Sequence, residues 1–441
     1  MPMLRLLGCI FWTALLVLPS VAPAATVAKR QFELRGGSKV HEYVLPNGLT
    51  LMVIEKLDAP LTSIYHWVKA GGLHELPGTT GIAHLFEHLM FRPLAPGDVS
   101  FDEKASGFGA EVDATTHVDS TVYVTTVPKE QVEAVLQAEA ARFKGMQVTD
   151  QLLDVEREVV RSEYQTRIAA SAVGTLYRSL YTRAFPGRSA FGLPEDLDKI
   201  QASDCNAFFA KYYRPNNTGL VVGGAVSAAE VVRWVEANYG EWQPGPEVTP
   251  QVFFSGQGAE MIEGQLASPA RTVAFGFRVP LYDRLEPQAI RLLNWILFES
   301  SYSLAMRRLS DDQNLATQVG DFGFAGDNGM LKGIANVLPG VSLQQMQREL
   351  GKLGTDFRRL SDAEYQAYVQ EFFIGAQERA QRNRELAAAA AQSWGKYGSL
   401  DHLVTMLAGQ PVPDLRSKVT SIVDQYIKAD NLLLAHGKGD K

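Results

Sequence analysis

Cysteine is scarce: Cys9 and Cys205 are the only two in 441 residues. Cys9 falls in an N-terminal stretch that reads as a targeting segment, so removal of that stretch leaves one thiol. An internal disulfide is then excluded, and burial of an apolar core has to stabilise the chain. Cys205 lies in the helical pattern "ASDCNAFFAKYY" and reads as a small buried side chain rather than a nucleophile. A basic stripe is also missing. Lys and Arg total 42 against 49 Asp and Glu, the net charge is −7 and the pI about 5.7, which disfavours a nucleic-acid partner. Beyond the N-terminus no apolar run approaches the roughly 20 residues of a bilayer span, so no stable membrane insertion is expected.

The N-terminal stretch has a positive start (Met1–Arg5), an apolar middle (Leu6–Leu18) and the small-x-small sequence Ala22-Pro23-Ala24. It reads as a signal peptide, residues 1–24, cut after Ala24. A retained anchor is the alternative, for which the apolar middle is short. Export of a chain with so little cysteine is met most simply by a periplasmic location.

The remainder has globular composition, 46% hydrophobic and 21% charged, and is long enough for two ordinary domains. Proline and glycine crowd "YGEWQPGPEVTPQV" (Tyr239–Val252), which reads as a linker. The expected organisation is a first domain over 25–240, a linker over 241–252 and a second domain over 253–441. Each domain ends alike, in "YYRPNNTGLVVGG" (Tyr212–Gly224) and "YIKADNLLLAHGK" (Tyr426–Lys438). Tyr212 aligns with Tyr426, Asn217 with Asn431 and Gly223 with Gly437, the mark of an internal duplication. "KVHEYVLPNGLTLMVIEK" predicts a hairpin turning at Pro46-Asn47-Gly48, and "STVYVTTV" and "RTVAFGFRV" predict strands. Helical patterns cover Lys129–Gly145, Asp150–Arg167, Glu286–Leu309 and Asp362–Trp394. The expected fold is α+β: two similar halves, each a mixed sheet packed with helices.

The chemistry is concentrated in "GIAHLFEHLMF", Gly81 to Phe91. On a helix His84 and His88 stand one turn apart on one face, with Glu87 beside them, and the other positions are apolar. Burying such groups without partners is costly. A metal resolves the cost, because neutral imidazoles at i and i+4 are two ligands of a tetrahedral zinc site. Glu87 is then free to take a proton from water. The order HxxEH is the reverse of the commoner HExxH. A third ligand should lie elsewhere, and "TDQLLDVEREVVRSEYQTRI" (Thr149–Ile168) offers Glu156, Glu158 and Glu163. Leu153, Val155, Val159 and Val160 supply its apolar positions. Glu156 and Glu163 are about two helical turns apart and face nearly the same way, but spacing does not choose among the three.

These segments resemble the pitrilysin/insulinase family of zinc peptidases, in its small two-domain bacterial branch, similar to the mitochondrial processing peptidase β subunit. The family pattern G-x-A-H-x-x-E-H stands here as "GIAHLFEH", and the downstream E-x-x-V-[VI]-x-x-E as "EREVVRSE". The resemblance implies one Zn²⁺ per chain held by His84, His88 and Glu163, catalysis by Glu87, and a supporting acidic role for Glu156. It also implies peptide substrates held extended along the strand in "GAEVDATTHVDSTVYV" (Gly109–Val124), with contacts at Asp113, Ala114 and Thr115. The family usually has Asn at the position of Asp113, and an ionised carboxylate cannot donate to a substrate carbonyl. His117 reads as a strand residue facing solvent or substrate rather than as a ligand. In the family's non-catalytic halves an Arg and a Tyr help hold the substrate. In "SSYSLAMRRLSDDQNLATQVG" (Ser300–Gly320) those positions fall on Ser303 or Leu304 and on Thr317. Arg307 and Arg308 read as surface charge. The expected partner is therefore a related subunit that lacks HxxEH and carries the pair, with a homodimer as the alternative. The rival function is a non-catalytic core or scaffold protein of the same fold.

Overall fold

The computed structural model describes residues 26–34, 37–95, 97–185, 189–248, 258–267, 270–281, 284–322 and 329–439. The signal peptide expected over 1–24 lies outside the described residues, as do 249–252 of the expected linker.

The first sheet has seven strands in the order β1-β2-β3-β7-β4-β6-β5. They are β1 (Val27–Glu33), β2 (Lys39–Val44), β3 (Thr50–Glu55), β4 (Leu61–Val68), β5 (Glu111–Thr116), β6 (Thr121–Pro128) and β7 (Thr218–Gly224). Strands β2 and β3 form the expected hairpin, with Val44 opposite Thr50. The second sheet has the order β10-β11-β9-β12-β8, from β8 (Glu260–Glu263), β9 (Thr272–Arg278), β10 (Ala316–Asp321), β11 (Met330–Val337) and β12 (Leu432–His436).

Setting β1 and β2 aside, the two sheets have one topology. A parallel pair (β3 with β7, β8 with β12) leads into three antiparallel neighbours in each. The repeat read from the chain ends sits at equivalent places. Asn217 Nδ2 donates to Tyr212 O at 2.9 Å and Lys69 O at 3.2 Å, and Asn431 Nδ2 donates to Tyr426 O at 2.7 Å and Arg278 O at 2.8 Å. Each asparagine ties the end of a helix to the end of the antiparallel neighbour strand. The expected α+β class with two similar halves is what the structure has.

Each half also lends a helix to the other. The helix Ala172–Ala184 of the first half buries Leu176, Tyr177, Leu180 and Tyr181 against Ala274, Leu433 and Ala435 of the second sheet. The helix Asn383–Tyr397 of the second half lays Leu386, Ala387, Ala390 and Trp394 on Met52, Trp67 and Val221 of the first. Glycines permit the second contact: a Cβ on Gly219 would stand 2.3 Å from the Trp394 ring, and one on Gly395 2.2 Å from the Trp67 ring. The start of the expected linker is fixed too. Trp242 is buried in the first core, and Asn47 Nδ2 donates to Tyr239 O and Trp242 O.

Two helical readings and one of surface charge differ from the structure. The run expected over Glu286–Leu309 breaks at Ser300, after Pro287–Asn294 and a π-turn over Trp295–Glu299. Ser303 then caps a new start by accepting Met306 N–H, a competition with helical bonding that serine favours. The run Asp362–Trp394 is two helices, Asp362–Arg379 and Asn383–Tyr397. The second begins where Asn383 Nδ2 donates to Gly223 O and Leu61 O of the first sheet. Arg308 is not surface charge: it is mostly buried and paired with Glu349 and Asp356.

His66 on β4 gives the fold an acid dependence. Its ring stacks on Phe143 at 4.3 Å and its Nε2 lies 2.9 Å from Tyr239 Oη. Burial holds its pKa down at about 4 from an ordinary 6.5. The folded residue stays neutral while the unfolded one takes up a proton, so stability is full above about 6.5 and is lost as pH falls towards 4. The loss from this residue is about 3 kcal/mol. Urea midpoints recorded from pH 7 down to 4 should fall accordingly, and His66→Gln should flatten that slope. An unchanged slope in the variant would remove His66 as its cause.

Candidate metal centre

The loop after β4 leads into the helix α1 (Ile82–Leu89) through Gly81, whose φ of 90° is left-handed and suits glycine. Glycine has no side chain to cap the helix, and Glu75 performs that task. Its buried carboxylate accepts Gly81 N–H at 2.8 Å and Ala83 N–H at 3.0 Å. Leu85, Phe86 and Leu89 turn into the first core, with Phe86 against Tyr213. That burial fixes the rotation of α1 and leaves His84, Glu87 and His88 on its other side. The two imidazole rings are 4.9 Å apart and nearly perpendicular.

Four further helices are numbered on from α1: α2 (Phe101–Gly107), α3 (Val132–Gly145), α4 (Asp150–Tyr164) and α5 (Ala172–Ala184). Helix α4 begins at Thr149, whose hydroxyl accepts Leu152 N–H. Leu153 and Val160 are buried as expected, but Val155 and Val159 are exposed, because α4 turns only one flank to α1. That flank carries Glu156 and Glu163, and Glu158 points away to pair with Arg161 at 2.6 Å. Glu163 Oε2 lies 3.1 Å from His88 Nε2 and 3.5 Å from His84 Nε2. One donor atom from each of His84, His88 and Glu163 falls within 4.8 Å of the others. Tetrahedral zinc with bonds near 2.1 Å has donors about 3.4 Å apart, so this donor set fits the ion in chemistry and spacing.

Glu156 sits behind His88. Its Oε2 is 3.8 Å from His88 Nδ1, and its Oε1 is 2.7 Å from Arg92 Nε. Phe191 packs edge-on against the His84 ring at 4.9 Å. Glu87 is oriented by Thr116, at the end of β5, whose hydroxyl donates to Glu87 Oε2 at 2.5 Å. Strand β5 is the edge of the first sheet. Asp113, Ala114 and Thr115 lie on it, and the Asp113 carboxylate accepts the Ala114 N–H at 2.9 Å. His117 follows β5, packs near Trp67 and stands apart from the donor cluster.

The electrostatics suit these placements. Burial, reinforced by His88, lowers His84 to about 4, so it is a neutral imidazole at pH 7. Burial also lowers His88, but the hydrogen bond to Glu163 and the charges of Glu87, Glu163 and Glu156 outweigh it and the net shift is upward. The His88 hydrogen bond, reinforced by His84, His88 and Arg167 against the effect of burial, holds Glu163 down at about 2. Glu87 moves the other way: burial raises it to about 7, against the hydrogen bond from Thr116.

Glu75, Arg92, Thr116 and Phe191 were not singled out in the sequence. For Glu75 a signal was available, since a glycine at a helix start leaves the first N–H groups to be satisfied from elsewhere. Glu75→Ala should lower stability by about 1–2 kcal/mol, the scale of a lost helix cap. Glu158→Ala, on the solvated side, should stay within about 0.5 kcal/mol. Urea denaturation of both variants checks the difference, and equal losses would count against the cap.

Residues 51–186 match the family described as Insulinase (Peptidase family M16), and residues 199–371 match Peptidase M16 inactive domain. The chain belongs to the M16 peptidase family. It is 26% identical over 242 residues to the probable mitochondrial-processing peptidase subunit beta of Arabidopsis thaliana, covering 52% of this chain and 45% of that protein. Identity to the zinc protease PqqE of Helicobacter pylori is 26% over 295 residues, covering 64% and 66%. These alignments span less than two thirds of either relative's length. Among solved structures, a protease from Helicobacter pylori superposes with a TM-score of 0.79 at 21% identity, over 91% of this chain and 99% of that one. The periplasmic protease PqqL from Escherichia coli superposes with a TM-score of 0.68 at 16% identity, over 94% and 48%. At these identities the superpositions bear on the fold. No described helix is long and apolar enough to cross a membrane.

Proposed function

We propose that this M16 peptidase is a zinc-dependent endopeptidase that hydrolyses extended or unfolded polypeptides in the periplasm, as the catalytic subunit of a two-chain enzyme. One observation carries the reading: the donor atoms of His84, His88 and Glu163 converge beside a partly buried Glu87, at the end of an edge strand.

His84, His88 and Glu163 would hold one zinc ion in the first half, which this reading takes as the catalytic domain, 25–240. When bound, zinc supplies Lewis acidity to the scissile carbonyl and lowers the pKa of water. Glu87 Oε2, steadied by Thr116, takes a proton from the attacking water and later delivers it to the leaving amine. Glu156 and Arg92 hold the His88 ring in place from behind. Strand β5 offers edge backbone groups to an extended peptide, with contacts at Asp113, Ala114 and Thr115.

The two-chain arrangement has separate support. The processing-peptidase relative is by name a subunit. In the second half Ser303 and Leu304 are buried and Thr317 stands on β10, so neither place offers a guanidinium or a phenol for holding substrate. A related subunit lacking HxxEH would supply them, and a homodimer is the runner-up. The match to an inactive-domain family keeps a scaffold as the competing reading.

Zinc analysis of the purified chain, with cleavage of an unstructured peptide, tests the activity. A chain without zinc and without turnover in either pairing would be the scaffold. Assay of the chain alone and then with a co-expressed homologue tests the partner. Equal rates and no complex on sizing would reject a second subunit.

A further inference from the structure

A cavity of about 700 Å³ lies between the first sheet and the helices of the second half. Its size is within the range of ligand sites. Thr116 stands at one end, the residue whose hydroxyl donates to Glu87. The far wall belongs to the helices Pro287–Asn294, Asp362–Arg379 and Asn383–Tyr397. The cavity therefore continues the proposed catalytic site into the interior of the chain.

Its charge is lopsided. Arg167, Arg291, Arg379 and Arg382 line it, against Glu385. Arg167 is paired with Glu163 at 2.6 Å and Arg382 with Glu385 at 2.9 Å. Arg291 and Arg379 have no carboxylate partner among the described residues. Arg291 gives one N–H to Gln392 Oε1 at 3.1 Å, while its Nε is buried with no acceptor. His402, on the same lining, also has a buried Nδ1 without a partner. Asp113 is the nearby counter-charge on β5, and its carboxylate already accepts the Ala114 N–H. A buried donor without an acceptor is costly, and a guanidinium accommodates a carboxylate with paired N–H groups.

Strand β5 supplies the route for such a carboxylate. Asp113 and Thr115 lie opposite Val124 and Val122 of β6, both of which line the cavity. Ala114 takes the other face, packed against the first core, and Thr116 borders the cavity while its hydroxyl reaches Glu87. A peptide added along this edge would send alternate side chains to the cavity side.

We propose that this cavity is a subsite for a carboxylate of the peptide substrate, held by Arg291 and Arg379. The carboxylate is either an acidic side chain or the peptide's own C-terminus. The proposal rests on the peptidase reading above and names the substrate class of that site.

The test uses the full-length, zinc-loaded chain and fluorogenic unstructured peptides. One series differs only by Glu or Gln at a single position, and a second pair differs by a free or amidated C-terminus. At one position, or at the terminus, the carboxylate form should be preferred about tenfold or more in kcat/KM. That ratio should collapse towards one in Arg379→Gln and Arg291→Gln, and weaken as salt is raised. Arg379 is exposed, so its variant leaves the core intact should Arg291→Gln prove insoluble. Preference at the terminus identifies the C-terminal carboxylate, and preference at an internal position identifies a side chain. A ratio near one throughout, or one that survives both substitutions, overturns the proposal. Anisotropy of the same labelled peptides on the Glu87→Gln variant reads the preference without turnover. If the wild-type chain hydrolyses nothing, alone or with the co-expressed homologue, the peptidase reading fails and the binding ratio still decides the cavity.

Discussion

Glu87→Gln should keep its zinc and lose peptide hydrolysis by at least the 10²–10⁴-fold that removal of a general base produces. Glutamine has nearly the same shape, so the contact with Thr116 can persist and α1 can keep its packing. It cannot accept the water's proton. The place suits the task, because burial raises the Glu87 carboxyl to about 7, within reach of both protonation states near neutrality. None of the three converging donor atoms belongs to Glu87, so metal analysis should read the same in the variant and the wild type. Full activity in a preparation free of wild-type enzyme would remove Glu87 from the mechanism. Loss of zinc along with activity would make it structural.

Glu163→Gln should release zinc, and Glu158→Gln should not. Glu163 Oε2 faces both imidazole Nε2 atoms, and a pKa held down at about 2 keeps it anionic at pH 7. An amide oxygen brings no charge to a divalent ion, so zinc affinity should fall at least tenfold to a hundredfold. Glu158 is on the solvated side of α4 and pairs with Arg161. Glu156→Gln should lie between, since it reaches the ion only through the His88 ring. Competition of each variant with a zinc-binding dye would measure the order. Equal retention by Glu163→Gln and Glu158→Gln would require another third ligand.

The helix of the proposed metal site was legible because its two periodicities agree. Leu85, Phe86 and Leu89 mark the buried side of α1, and whatever remains must face the opening. The third ligand was not legible from spacing, because Glu156 and Glu163 share a flank of α4. Only the crossing of α4 over α1 sets one beside Nε2 and the other beside Nδ1. The resemblance named Glu163, and the geometry gives that assignment a physical basis. Thr116 reaches Glu87 across a stretch of chain that no local window spans, whereas Glu75 stands close enough before Gly81 for its cap to have been sought. Strand order was partly readable through the repeated Asn217 and Asn431, but the exchange of helices was not. The pattern over Asp362–Trp394 is helical throughout, and what divides it is a carboxamide bonded to a sheet more than a hundred and fifty residues earlier.

That exchange sets an order of events during synthesis. Strands β1 to β7 are all made by residue 224, yet the face bearing Met52, Trp67 and Val221 has no cover until Asn383–Tyr397 has been made. The first half cannot close its own outer surface as it emerges. It must wait, apolar side open, for nearly the entire chain to follow. A long-range dependence of this kind slows folding and lengthens exposure to aggregation. Truncation anywhere before that helix would strand the first half in the same open state, even with His84, His88 and Glu163 all present.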